Sequence, residues 1–334
     1  MHWMPSGGFA IDTAYYIDGR LTSANLKWLY YVLQAVDLKG PSQDVGVPGL
    51  AREAAYQVSV PEPPPLDEQR RIADFLDIQT TRIDRLAGLR DSLKARLDER
   101  DRALRDSLVN RLAENVGEAP LRRFTTRIEQ GASPQCDAVP RENDGEWGVL
   151  KLSAVKRGRF NPAENKRLPT DVDPAVAYQV GPGDLLVTRA NTPGLVGDAA
   201  VVVGEQRKLL LPDLIYRVGL MPEMNAHFVA EVALSGRVRS LIEAVARGSS
   251  QSMVKLRGED IKAWPVPLAS SAQQAALVEQ LRSGMEATGS LRNVIARQTV
   301  LLAERRQALI TAAVTGQFDV STASGRNVTE GITA

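Results

Sequence analysis

Cysteine occurs once in these 334 residues, as Cys136, and histidine twice, as His2 and His227. One cysteine excludes a disulfide framework within the chain, and three such side chains are too few for a His/Cys zinc cluster. No apolar run approaches the roughly 18 residues of a membrane span. The opening stretch MHWMPSGGFAIDTAYY lacks the charged start and apolar run of a secretory signal. A soluble, cytoplasmic chain without a membrane partner is therefore expected. Charge of one sign is missing too, since 41 Lys and Arg against 40 Asp and Glu leave a net +1. Nothing global points to nucleic acid, so any such signal has to be local. Reaction signatures are also absent. There is no P-loop, HExxH, GxSxG, Gly-rich nucleotide fingerprint after a strand, or Asn/Asp-Pro-Pro-aromatic motif. Asp184 and Asp198 flank strand-like runs without a paired acid and lysine, and read as turn residues. No catalytic residue, metal site or cofactor of the chain's own is expected.

Present instead is a repeat. Gln69, Ile72 and Leu76 lie 205 residues before Gln274, Leu277 and Leu281, and the same offset carries ERDRALRDSLV (99–109) onto ERRQALITAAV (304–314). Steps of four and three from Ile72 reach Leu76, Gln79, Ile83, Leu86, Arg90, Leu93, Leu97, Arg100 and Leu104. The second copy gives Leu277, Leu281, Gly284, Thr288, Leu291, Ile295, Gln298, Leu302, Arg305 and Leu309. Apolar residues dominate both series, and a 3.5-residue period sustained this long predicts a coiled-coil seam. The predicted helix–helix interface is Ile72, Leu76, Ile83, Leu86, Leu97, Leu104, Leu277, Leu281, Leu291, Ile295, Leu302 and Leu309. Each helix should run about 40 residues, roughly 60 Å. A capping box of Ser271 with Gln274 and a cap at Asp67 are expected to start them. Both flank one block, 121–267, and a domain's termini usually lie close together, so the helices should pack antiparallel. Leu76, Ile83 and Leu97 are expected to meet residues such as Leu281, Leu291 and Leu302. The likeness extends backwards: LAREAAYQVSVP (50–61) shares its apolar pattern with LRGEDIKAWPVP (256–267). The first 60 residues therefore look like the end of a first copy of the middle block.

The middle block reads as mixed α/β. EWGVLKLS, DLLVTR, DAAVVVG and LIYRVGL suit strands bounded by Gly, Pro and Asp. NAHFVAEVALSGRVRSLIEAVARG has helical spacing and should stop at Gly248. Its polar loops carry the side chains that meet phosphates and base edges. Lys156, Arg157, Arg159 and Arg167 are the candidate phosphate ligands, and Lys166 beside them is a further DNA-binding candidate. Gln135, Arg189, Asn191, Thr192, Ser250, Gln251, Ser252 and Lys255 complete the candidate DNA-binding set. Arg189 and Asn191 have an alternative role, fixing the NTPG turn that follows a strand. Solvated loops share this composition, so the residue types alone leave nucleic-acid binding open.

PPPLDEQRRIADFLDIQTTRID, ERRQALITAAVTGQFDV, IEQGASPQC, EWGVLKLSAVKRGRFNPAENKRLP, GDLLVTRANTPGLVG and LLLPDLIYRV together resemble the specificity (S) subunits of type I restriction–modification systems. The resemblance covers nearly the whole chain. It implies an α+β fold: a mixed α/β target recognition domain, two long antiparallel coiled-coil helices, and a partial recognition domain at the N-terminus. The corresponding segments are a C-terminal remnant of a first recognition domain (1–61), a first conserved helix (66–112), a recognition domain (120–267), a second conserved helix (271–316) and a flexible tail (317–334). It implies a non-catalytic subunit that reads double-stranded DNA and docks methyltransferase (M) subunits, with the restriction (R) subunit joining through the complex and a second S chain as a further partner. S-adenosylmethionine, ATP and Mg would belong to those partners. Two departures stand out: most of a first recognition domain is missing, and Ala132 stands where related sequences often carry Trp. The competing reading is a truncated S-like fragment that acts only as a coiled-coil interaction protein without DNA binding.

Overall fold

The computed structural model describes residues 1–5, 14–38, 52–246 and 254–320. Its helices are α1 (Leu26–Ala35), α2 (Arg52–Tyr56), α3 (Leu66–Val116), α4 (Ala226–Ala233), α5 (Gly236–Ala246), α6 (Gly258–Lys262) and α7 (Ser271–Val314). Its strands are β1 (Glu118–Pro120), β2 (Thr125–Gln130), β3 (Gly148–Leu150), β4 (Val155–Lys156), β5 (Arg159–Phe160), β6 (Asn165–Arg167), β7 (Leu185–Thr188), β8 (Ala190–Asn191), β9 (Ala199–Val201), β10 (Leu209–Leu210), β11 (Ile215–Leu220), β12 (Val254–Lys255) and β13 (Pro265–Pro267). The fold is α+β, with two long helices. Two compact units share those helices, 1–95 with 291–334 and 96–290. No helix among the described residues is long and apolar enough to cross a membrane.

In the first unit, the first part of α3 runs antiparallel to the last part of α7. Ile72, Leu76 and Ile83 are buried with Leu309, Ile310, Ala313 and Val314, and α1 adds Trp28, Tyr31 and Val32. Asn25 caps α1 by accepting the Trp28 N–H. Tyr31 donates its hydroxyl to Asp77 on α3, and Lys27 pairs with the same carboxylate at 2.8 Å. Farther along, Arg90 Nε donates to Gln298 Oε1 at 3.2 Å, and Arg306 pairs with Asp84.

In the second unit the rest of α3 meets the start of α7, again antiparallel. Arg100 Nη1 donates to the Gly284 carbonyl at 3.2 Å and to Thr288 Oγ1. A Cβ added to Gly284 would lie 2.6 Å from Leu104 Cδ2, so glycine permits this close approach. A four-stranded sheet of order β2-β11-β7-β9, antiparallel throughout, forms the centre. Both of its faces are covered. Leu185 and Val187 point into a core with Phe228, Trp264, Leu277 and Leu281, while Leu186 joins Ala200, Ile215 and Leu209 on the other side. This period-two alternation is the strand signal itself. β10-β3-β6 form a second sheet, β1 pairs β13 where α3 ends and α7 begins, and β8 pairs β12.

Several expectations need correction. The helices span 51 and 44 residues rather than about 40. Leu86 and Leu291 are 47% and 41% exposed and lie off the buried seam. A straight helix drifts by about 20° per heptad from a 3.5 repeat. Polar residues hold the middle of the seam instead. The register also differs: Leu76 lies among Leu309, Ile310 and Ala313, not beside Leu281. The capping box at α7 is one residue earlier. Ser270 N–H donates to Gln273 Oε1 at 2.9 Å and Gln273 N–H to Ser270 Oγ, because Gln274 is turned inward onto Asn225. Asp67 sits inside the first turn of α3 rather than capping it, and pairs with Arg70. The run from Asn225 is two helices, not one. It breaks at Leu234–Ser235, where the Gly236 N–H donates to Asp106 Oδ1 at 2.6 Å and starts α5 afresh. Gly248, its expected end, lies outside the described residues.

Candidate nucleic-acid interface

One end of the central sheet gathers segments that are far apart in sequence. β7 leaves the sheet after Thr188, and the next residue is held by its backbone on both sides. Arg189 N–H donates to the Leu214 carbonyl and Leu256 N–H donates to the Arg189 carbonyl, each at 2.8 Å. The half-buried Arg189 side chain rests on Tyr216. Its Nε donates to Tyr216 Oη at 3.1 Å, and its guanidinium carbon is 5.9 Å from the ring centroid. Tyr216 in turn donates to the Leu256 carbonyl. The β8–β12 pairing then sets Asn191 opposite Val254 and Ala190 opposite the exposed Lys255. The 188–191 and 254–256 segments are thus one structure.

The NTPG turn is tightly built. Leu195 and Val196 N–H both donate to the Thr192 carbonyl, and Thr188 Oγ1 donates to the Leu195 carbonyl. Arg239 Nη1 donates to the Val196 carbonyl at 2.6 Å. Gly197 has φ +73°, and a Cβ there would come within 2.6 Å of Ile242 Cδ1, so both backbone and packing require glycine. Asn191 Oδ1 accepts the Thr192 N–H at 2.8 Å, which gives it a turn-forming bond. Asn191 is half-buried and Thr192 exposed.

The Lys156–Arg159 segment is a two-residue hairpin with Arg157 at φ 49° and Gly158 at φ 80°, the conformation of tight β-turns with positive φ at both central positions. Asp198 fixes it by accepting the Arg157 N–H at 2.9 Å. Burial pushes the Asp198 carboxyl above its ordinary range, against the pull of that N–H and of Arg239, Arg157 and Lys156. Arg157 Nη1 pairs with Asp98 of α3 at 3.1 Å, whereas Lys156 and Arg159 are exposed. In β6, Lys166 is exposed, but Arg167 is surrounded by Asp137 at 2.8 Å, Glu142 at 3.7 Å and Glu146 at 3.9 Å. Gln135 is exposed on the 131–137 loop. That loop runs from Pro212 and Leu211, which accept the Gly131 and Ala132 N–H groups, to the carbonyl of Arg167, which accepts the Asp137 N–H.

Arg189, Asn191, Thr192 and Lys255 are therefore brought together directly. Gln135 lies on the loop that starts at this end of the sheet, the Lys156–Arg159 hairpin is tied to it through Asp198, and Lys166 lies in β6 beside the far end of that loop. Arg157 and Arg167 already hold carboxylates. Ser250, Gln251 and Ser252 lie outside the described residues. Two further rim residues are Ser133 and Asp213, which bond each other between Gln135 and Arg189. The one sequence signal for them is Pro212-Asp213 bounding a strand run. Among the described residues, no group of three or more His, Cys, Asp and Glu could hold a metal ion.

No protein-family profile matches the chain. Over 177 residues it is 30% identical to the Type I restriction enzyme EcoEI specificity subunit of Escherichia coli, covering 52% of this chain and 30% of that one. The match thus spans less than a third of the relative's length. Among solved structures, one from work on complex assembly and conformational transition of the type I R-M system aligns with 88% of this chain and 72% of its own, at 16% identity and TM-score 0.52. The HsdS subunit of Thermoanaerobacter tengcongensis aligns with 88% of this chain and 71% of its own, at 15% identity and TM-score 0.41. The likeness to a type I specificity subunit carried by the sequence motifs is thus found in the curated relative, and the solved structure at TM-score 0.52 shares the fold.

Proposed function

We propose that this chain is the DNA-recognition and scaffold subunit of a type I restriction–modification complex. The 120–267 segment reads double-stranded DNA, and the helices of 66–112 and 271–316 dock methyltransferase subunits, with the restriction subunit entering through the assembly. Residues 1–61 correspond to the C-terminal part of a first recognition domain. A second S chain is a further partner, because the 120–267 recognition domain reads only half of a bipartite site. The chain contributes no catalytic group, and S-adenosylmethionine, ATP and Mg act on its partners in the cytoplasm.

The observation that carries DNA reading is the joining of Arg189, Asn191 and Lys255 by the β8–β12 pairing at one end of the sheet. Guanidinium and amide groups at such a rim make bidentate contacts to guanine and adenine, while exposed lysines meet phosphates. Affinities of Arg189→Ala, Asn191→Ala and Lys255→Ala would be measured on a duplex selected from a random pool and on random duplex. Loss of one base contact should cost about 1–3 kcal/mol on the selected duplex alone. Loss of a lysine should weaken both and lower the salt slope by about one unit. A melting temperature that drops while the selected-to-random ratio stays put would assign Arg189 and Asn191 to the turn. No affinity for any duplex, with or without methyltransferase subunit, would favour the interaction-only reading.

A further inference from the structure

Arg189 is fixed in place but not neutralised. Its backbone is held on both sides, its Nε donates to Tyr216 Oη at 3.1 Å, and its guanidinium carbon lies 5.9 Å from that ring's centroid. Neither Nη has a hydrogen-bond partner among the described residues, and no carboxylate there pairs with the group. Arg217, Arg239 and Arg167 differ. Arg217 spends Nη1 on the Gln179 carbonyl and Asp184, and Nη2 on the Ala177 carbonyl. Arg239 gives Nη1 to the Val196 carbonyl, and Arg167 lies among three carboxylates. Those guanidinium groups hold the fold, whereas Arg189 is held by it.

Tyr216 supplies the hold. It lies in β11 between Val187 of β7 and Gln130 of β2, and is only 9% exposed. Its hydroxyl accepts from Arg189 and donates to the Leu256 carbonyl at 3.3 Å, so one group ties both rim segments, 188–191 and 254–256, to the centre of the sheet. A neutral hydroxyl orients a guanidinium without cancelling its charge, which a carboxylate in that place would do. Tethered at Nε and lying against the ring, the guanidinium keeps its Nη1–Nη2 edge as a preset planar pair of donors. The matching ligand offers two acceptors in one plane. Guanine presents that pair, O6 and N7, in the major groove. A phosphate also offers two acceptors, but it requires charge more than a fixed plane, and the exposed Lys255 opposite Ala190 already supplies charge.

We propose that Arg189 reads a guanine through Nη1 and Nη2, and that Tyr216 is the positioning residue that makes this reading selective, without touching DNA itself. The inference rests on the DNA recognition proposed above, and adds which base this part of the rim takes and which buried group enforces the choice. The test is binding of the full chain, with the methyltransferase subunit present, to a duplex selected from a random pool and to duplexes in which each base pair is replaced in turn. Arg189→Ala should lower the preference at one pair by about tenfold or more, and that pair should be G·C. Tyr216→Phe keeps the ring and removes only the hydroxyl. It should lower the preference at the same pair about fivefold, and at no other. In the Arg189→Ala background, Tyr216→Phe should have no further effect on preference, because the hydroxyl acts only through the guanidinium. Near-ultraviolet circular dichroism reports whether Tyr216→Phe folds. If it does not, Arg189→Lys carries the tether test: it keeps the charge but has no Nε for Tyr216 to hold, and the same preference should fall about fivefold. Equal weakening of every duplex by Arg189→Ala would make this arginine a phosphate ligand and overturn the guanine reading. A Tyr216→Phe effect that is absent, spread over several pairs or undiminished in the Arg189→Ala background would overturn the positioning role, as would an unchanged preference in Arg189→Lys. If the unaltered chain prefers no duplex over another, DNA recognition itself fails and takes this inference with it.

Discussion

Gln274 is almost fully buried, and its amide is satisfied at both ends. Its Oε1 accepts the Asn225 N–H at 2.8 Å, and its Nε2 donates to the carbonyls of Ala269 at 2.9 Å and Glu223 at 3.1 Å. Gln69, 205 residues earlier, accepts the Asn25 N–H and donates to the Pro64 carbonyl, both at 2.7 Å. Each glutamine thus fastens an asparagine-capped helix to the start of a long helix. The repeat made these glutamines legible as equivalents. It did not show that the amide points inward, and the cap of α7 moves to Ser270 for that reason. Gln274→Ala leaves buried backbone groups without partners and should destabilise the chain by about 1–3 kcal/mol, read from the urea midpoint. Asp198 gives a pH-dependent counterpart. Burial raises its pKa in the folded state above the unfolded value of about 3.9. The folded state then holds the proton more tightly, so this group's contribution to stability falls as pH rises from the unfolded value through the raised one. Asp198→Asn keeps an oxygen for the Arg157 N–H and removes the ionisation. The variant should be more stable than the parent at pH 7, with the difference shrinking as pH falls toward 4. A difference that does not change with pH would show that Asp198 is not the titrating group.

Between the helices, the polar members of the 3.5-residue series are the informative ones. Arg90, Gln298, Arg100, Gly284 and Thr288 were legible as seam positions from spacing alone, and they meet one another across it. The apolar members were less reliable. Leu86 and Leu291 follow the same spacing yet stay exposed, because period says nothing of which side a third element will cover. α1 covers one side only. The two polar crossings also differ in quality. Arg100 Nη1 bonds Gly284, Thr288 and Asp101, whereas Arg90 Nη1 is buried with no partner among the described residues. A buried donor without a partner costs about 1–3 kcal/mol. Arg90→Leu removes that cost and loses one exposed bond to Gln298, so it should raise stability by about 1 kcal/mol. Arg100→Leu should instead lower it. Thermal denaturation of the two variants would compare them directly, and equal effects would show that the two crossings are interchangeable.

At the scale of the molecule, the long helices and the α/β block between them were legible because periodicity and turn residues are local signals. Strand order was not. The union of Arg189 with Lys255 depends on β8 meeting β12 more than 60 residues later, and the Arg157 and Arg167 ion pairs depend on Asp98 and Asp137. No spacing rule anticipates such pairings. Division of α3 and α7 between two units was equally hidden, since the heptad pattern runs through both without interruption. The units differ in what they bury. The apolar cluster of the first has 11 described buried residues and no strand, whereas the largest cluster of the second has 24, drawn from strands and five helices. Local opening follows buried apolar contact, so stability should vary along a single helix. Amides of 72–94 in α3 should exchange with deuterium faster than those of 104–114. In α7 the order reverses along the chain, with 295–310 exchanging faster than 274–285. Peptide-resolved exchange at neutral pH measures both gradients, and an opening free-energy difference of about 2 kcal/mol would separate the rates by more than tenfold. The two gradients run in opposite directions along sequence, which distinguishes them from fraying at helix ends. Uniform protection through each helix would mean that α3 and α7 open as whole elements and that the two units share one cooperative core.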